Sequence, residues 1–160
     1  MAKFKNYTLD EIVEDDFSLI AIHSSCEGYY LAFLLNTHCQ SSFVKSKNRK
    51  GSKQQKDYPF ESYEWIDPIN GIEIRIISNK HLIFQDENQK GSSLFDLPET
   101  KELYLVKDLK DVDYIIKINN GIETQLLLEK MESIVQISYR YLIDQSQFNL
   151  DLIKTQINEQ

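Results

Sequence analysis

Cysteine, histidine, proline and glycine are scarce in this sequence, at two, three, three and five of 160 residues. Both cysteines fall in one segment that reads as a helix, where a rise of about 1.5 Å per residue sets Cys26 and Cys39 roughly 20 Å apart. A disulfide needs Cα atoms within about 4.4–6.8 Å, so free thiols in a reducing compartment are expected. No apolar run reaches the roughly 18 residues of a membrane span. The amino terminus MAKFKNYTLDEIVEDD also lacks the apolar stretch of a signal peptide, so the expectation is a cytoplasmic protein without membrane contact. Cations are outnumbered 18 to 25, and the net charge of −7 disfavours nucleic acid as a general partner. No Walker loop, GxGxxG, HExxH or GxSxG occurs, and no cofactor signature is present.

What is present suits one α+β domain spanning 1–160, since 41% of residues are hydrophobic and 11% aromatic. Lys3 to Thr8 alternates weakly, as an edge strand would, and Glu11, Glu14, Asp15 and Asp16 then form an acidic approach. Phe17 to Ile22 is nearly continuous in apolar residues, the pattern of a strand buried on both faces. Ser24 followed by Glu27 fits a capping box, so a helix is expected to start there. Leu31, Leu34, Leu35 and His38 lie on one side of that helix, with Tyr30 and Phe33 widening its apolar face. Gly28 weakens its first turn.

Ser41 to Lys45 reads as a short strand. Residues 45–57 form a flexible basic loop, in which Lys45 to Lys56 carries Lys45, Lys47, Arg49, Lys50, Lys53 and Lys56 with no acid. Phe60 to Ile66 and Ile72 to Ile77 read as a hairpin, with Pro68 and Asn70-Gly71 in its turn. Tyr63 and Trp65 share the inner face of its first strand. Ile77 to Phe84 extends the second strand, Gln85 to Ser93 is a polar loop, and Leu103 to Val106 is a further short strand. Val112 to Ile118, VDYIIKI, reads as a central strand. Asn120 and Glu123 cap a second helix of about 10–12 residues that buries Leu127, Leu128 and Met131. From Val135 to Ile143 the odd-numbered residues Val135, Ile137, Tyr139, Tyr141 and Ile143 fall on one side of a half-exposed strand. The segment 145–160 carries Leu150, Ile153 and Ile157 at helical spacing and is either a docking tail or frayed.

Strand–helix–strand occurs twice, around an inserted hairpin. The expected architecture is a two-layer α+β fold: a mostly antiparallel sheet with two main helices on one face, in ferredoxin-like or ACT-like order. The other face is then solvated or covered by a partner, which favours self-association.

Val112-Asp113-Tyr114, preceded by Val106-Lys107-Asp108, is similar to the signature of the IPExxxVDY family of small bacterial proteins. The block from Asp15 to Asn36, with DDFSLIAIHSS and YYLAFLLN, is similar to that family's other recurrent block. Val106-Lys107-Asp108 stands where the signature has Ile-Pro-Glu, so the proline is replaced by Lys107. The resemblance implies a bacterial source and carries no assigned activity.

His23, Cys26, His38 and Cys39 have the residue types of a zinc site, but the two pairs lie at opposite ends of the helix, about 18 Å apart, so no metal is expected. Cys26 near a helix start could be a nucleophile. A phosphatase-like loop, however, needs an arginine where Ala32 stands, and no acid is placed to orient His23. No catalytic residue is therefore assigned. The leading expectation is a non-enzymatic cytoplasmic interaction or accessory protein, acting as a homodimer or on a protein partner. One alternative is an ACT-like sensor holding a small anion or metabolite at His23, Ser24, Ser25, Cys26 and Glu27. Another is an accessory factor that contacts RNA through Lys45 to Lys56. Asp113 on its strand would bind a neighbouring backbone N–H or do chemistry, and either caps the turn from Lys107 to Asp111 or faces a partner.

Overall fold

The computed structural model describes residues 17–47, 59–84, 100–119 and 124–148. Lys3 to Thr8, the acidic approach, Arg49, Lys50, Lys53 and Lys56, the loop after Phe84, the caps Asn120 and Glu123, and the tail from residue 149 lie outside them. The fold is α+β. Its elements are β1 (Phe17–Ser24), α1 (Gly28–Cys39), β2 (Val44–Lys45), β3 (Ser62–Asp67), β4 (Ile72–Ser78), β5 (Lys80–Phe84), β6 (Thr100–Tyr104), β7 (Tyr114–Asn119), α2 (Thr124–Lys130) and β8 (Ile137–Leu142). Six strands form one sheet in the order β2-β3-β4-β7-β1-β8, and β5 pairs with β6 in a second. Every pairing is antiparallel. Among the described residues no helix is long and apolar enough to cross a membrane.

The continuous apolar run of β1 has a simple cause. Leu19, Ile20, Ala21 and Ile22 are all fully buried, because both sheet faces are covered. On one face Ile20 and Ile22 join Ile74, Ile76, Ile116 and Ile118 under Leu31, Leu34 and Leu35 of α1 and Leu127 of α2. On the other, Leu19, Ala21, Ile77 and Ile115 pack against Leu105, Val106, Val112 and Ile143. The chain thus covers this second face with its own segment after β6, where the pattern of strands alone suggests solvent or a partner.

Helix α1 does not begin with a capping box. Glu27 is the N-cap residue, no side chain caps the helix, and Ser24 is still part of β1. Nor do Tyr30 and Phe33 widen the buried side: Tyr29, Tyr30 and Phe33 are exposed, and the buried stripe is Gly28, Leu31, Ala32, Leu34, Leu35 and Cys39. Gly28 is accounted for by close packing. A Cβ there would sit 3.1 Å from both Glu61 Oε2 and a ring carbon of Tyr63, so α1 approaches β3 only because the side chain is absent.

The hairpin β3–β4 has the expected register, Tyr63 opposite Ile76 and Trp65 opposite Ile74. Its turn places Gly71 at φ +65°, while Asp67 accepts hydrogen bonds from the Ile69 and Asn70 N–H groups at 3.1 and 3.2 Å. The second strand does not continue to Phe84. Asn79 breaks it, and Lys80–Phe84 leaves to pair with Thr100–Tyr104. That pairing replaces the expected strand at Leu103 to Val106, whose last two residues are buried in the covering segment.

In β8 the strict alternation from Val135 is interrupted. Val135 lies in a turn and is 91% exposed. His23 faces Tyr139 while Ser24 faces Ile137, which leaves Ser138 as an extra residue in the ladder. The bulge reverses the parity, so Ile137 packs with the helix-side core and Tyr141 and Ile143 with the opposite one.

Candidate functional site

The residues of the VDY signature meet the end of β1. Val112 is buried in the second core. Asp113 donates its own N–H to Ile22 O at 3.0 Å, and its Oδ2 accepts the Ser24 N–H at 2.9 Å. Its Oδ1 takes the Lys80 ammonium at 3.2 Å. The Asp113 carboxylate therefore binds the backbone of β1 and does not cap the turn from Lys107 to Asp111. Tyr114 donates its hydroxyl to Cys26 O at 2.7 Å, which ties the β1–α1 connection to β7. Burial, and then the negative groups around it, hold this phenol above its ordinary range.

A raised acid pKa means that the folded state keeps its proton when the unfolded chain has lost it. Stability is accordingly expected to fall as pH rises above the usual tyrosine value of about 10, and less steeply in Tyr114→Phe. Urea unfolding midpoints between neutral and strongly alkaline pH measure the difference. Equal slopes for the two proteins would contradict it.

The five residues His23 to Glu27 do not converge on one point. Ser24 is buried; its hydroxyl donates to Gln136 O at 2.8 Å and accepts from the Cys26 N–H at 3.3 Å. Having only one proton, that hydroxyl must be the acceptor in its 2.9 Å contact with Cys26 Sγ. The thiol is thus the donor in that contact. Ser25 and Glu27 are exposed. Against the first turn of α1 lies the chain's own Glu61 carboxylate, which also accepts the Tyr63 hydroxyl at 2.7 Å and pairs with Lys45 at 3.4 Å. Lys47, the other described member of the basic patch, is exposed.

Cys26 and Cys39 are free thiols, and burial pushes the Cys39 thiol up. His38 is exposed at the end of α1, with its Nδ1 3.2 Å from Ser133 Oγ. Among the described residues no three His, Cys, Asp or Glu side chains are grouped to hold a metal.

His23 points to the other sheet face, where it meets two tyrosines of β8. Its ring centroid lies 5.6 Å from Tyr139 and 6.0 Å from Tyr141, and the two tyrosines are 5.3 Å apart. Together with the segment Asp108 to Val112 they line a groove of about 370 Å³. A second hollow of about 440 Å³ lies beside the hairpin turn. Its two carboxylates are engaged, Asp67 by the turn and Glu64 by Arg75 at 3.8 Å.

Sequence reasoning missed Asn79, which is fully buried and clamps the covering segment to the sheet. It also missed the aromatic groove, of which only the tyrosines' period-two spacing gave a hint. No known family profile, curated protein or solved structure matches this chain.

Proposed function

We propose that this chain is a non-enzymatic interaction or accessory protein whose partner adds a strand to the open edge of the sheet at β8. The carrying observation is the contrast between the two edges. At one end stands β2, two residues long and bearing Lys45, a short and charged edge that resists pairing. At the other end β8 runs from Ile137 to Leu142 and pairs only with β1 among the described residues. It contains neither lysine nor proline. Its one cation, Arg140, is turned inward, donating Nε to Leu128 O at 2.7 Å. Tyr139 and Leu142 are 60% and 54% exposed, apolar surface placed to meet an added strand.

The run β8-β1-β7-β4 is also the strand order of a ferredoxin-like unit, with β2 and β3 extending the far side; we read the fold as that layout, with an ACT-like use of an edge strand. In this reading the similarity to the IPExxxVDY family rests on residues with structural duties, and the protein works in the cytoplasm. The test is capture of tagged protein from its own cells, wild type beside Leu142→Pro. One stoichiometric partner, or a second copy, should be retained by the wild type and lost by the variant. Equal recovery by both, or a wild type that is monomeric by light scattering and retains nothing, would overturn the proposal.

A further inference from the structure

We infer that the groove of His23, Tyr139 and Tyr141 receives a lysine or arginine side chain from a basic extended segment of the protein that pairs with β8. The inference rests on the β8 reading above and adds the chemistry of the occupant. Tyr139 and Tyr141 project from the edge strand itself, so any segment added there passes beside the groove. Two phenol rings and an imidazole line that space, and aromatic faces attract a cation and suit the methylene stem behind it.

Asp108 and Asp111 line the same groove, are exposed, and make no ion pair or hydrogen bond among the described residues. Lys110, which also lines the groove, makes no ion pair with either carboxylate among the described residues, and its ammonium lies 5.7 Å from the centroid of the Tyr104 ring. Asp111 is close enough to bear on the Tyr141 hydroxyl, which burial first, then Tyr139 and Asp111, hold above its ordinary range. Rings and carboxylates thus favour positive charge at one place, on a protein that carries a net charge of −7.

The probes are blocked nine-residue peptides of threonine and valine with one central lysine, arginine, norleucine or glutamate. They are titrated into the full chain while backbone amides of β8 and ring protons of His23, Tyr139 and Tyr141 are followed by NMR. The lysine and arginine peptides should bind about tenfold more tightly than norleucine, and glutamate more weakly still. The double variant Asp108→Asn with Asp111→Asn should reduce that preference while leaving norleucine binding unchanged. Leu142→Pro should weaken all four.

Equal binding of all four peptides at β8 would overturn the cation inference and leave the edge reading standing. No shift of β8 amides with any peptide would overturn both. Shifts produced by raising the protein concentration alone, with no response to the peptides, would identify a second copy as the occupant and overturn the basic partner.

Discussion

Asn79→Ala is expected to lower the unfolding free energy by about 3–5 kcal/mol, a large share of the roughly 5–15 kcal/mol that holds a domain of this size together. The side chain is fully buried between β4 and β5. Its Nδ2 donates to Leu109 O at 2.7 Å and to Val112 O at 3.0 Å, and its Oδ1 accepts the Val106 N–H at 2.9 Å. Its main chain donates to Asp113 O and accepts from Leu105 N, each at 2.9 Å. One asparagine therefore satisfies the irregular backbone of the segment that covers the second sheet face. Alanine keeps the main-chain bonds and, since Leu109 O still accepts the Val112 N–H at 3.0 Å, leaves the Val106 N–H and Val112 O without a partner, at about 1–3 kcal/mol for each one that water does not reach. Urea unfolding measures the loss. A change below about 1 kcal/mol would mean that the covering segment holds itself in place.

Leu142→Pro is expected to weaken partner binding about fivefold to a hundredfold while leaving the fold intact. The Ile143 N–H bonds inward to Leu19 O at 2.8 Å, and main-chain groups in an antiparallel ladder alternate between neighbours. Tyr141 accordingly faces β1, and Leu142 and Arg140 turn their N–H and C=O groups outward. A proline at 142 removes an outward donor that its own sheet does not use, and its ring blocks the approach of another strand. Arg140 is the poorer place for the substitution, since its guanidinium holds α2. Circular dichroism and the unfolding midpoint of the variant should stay close to wild type. A variant that binds as tightly as wild type would remove β8 from the interaction.

The elements read correctly in advance are those whose pattern is local. Burial on both faces makes FSLIAI continuous, and Asp67 to Gly71 closes its hairpin with turn chemistry confined to five neighbouring positions. Of VDYIIKI, Tyr114 to Ile118 lies in a central strand between β4 and β1, while Val112 and Asp113 stand just ahead of it. The misreadings come from contacts distant in sequence or from a one-residue change of phase. Ser24 and Glu27 have the spacing of a capping box, yet β1 runs on through Ser24 because Asp113 and Gln136, far along the chain, take its polar groups. The bulge at Ser138 is invisible in an alternating string and moves Tyr141 to the other face. Asn79, a lone polar residue between two apolar strands, looks like a break in the pattern. Its worth comes from carbonyls some thirty residues away. Which strand ends the sheet is likewise a matter of long-range pairing, so the edge at β8 had no signature of its own.

Residue-resolved amide exchange on the dilute, unliganded protein tests the open edge most directly. The Arg140 and Leu142 amides are expected to exchange rapidly while those of Tyr141 and Ile143 are protected by β1, and a bound partner should slow the first pair. Equal, strong protection of all four amides in the dilute protein would contradict it.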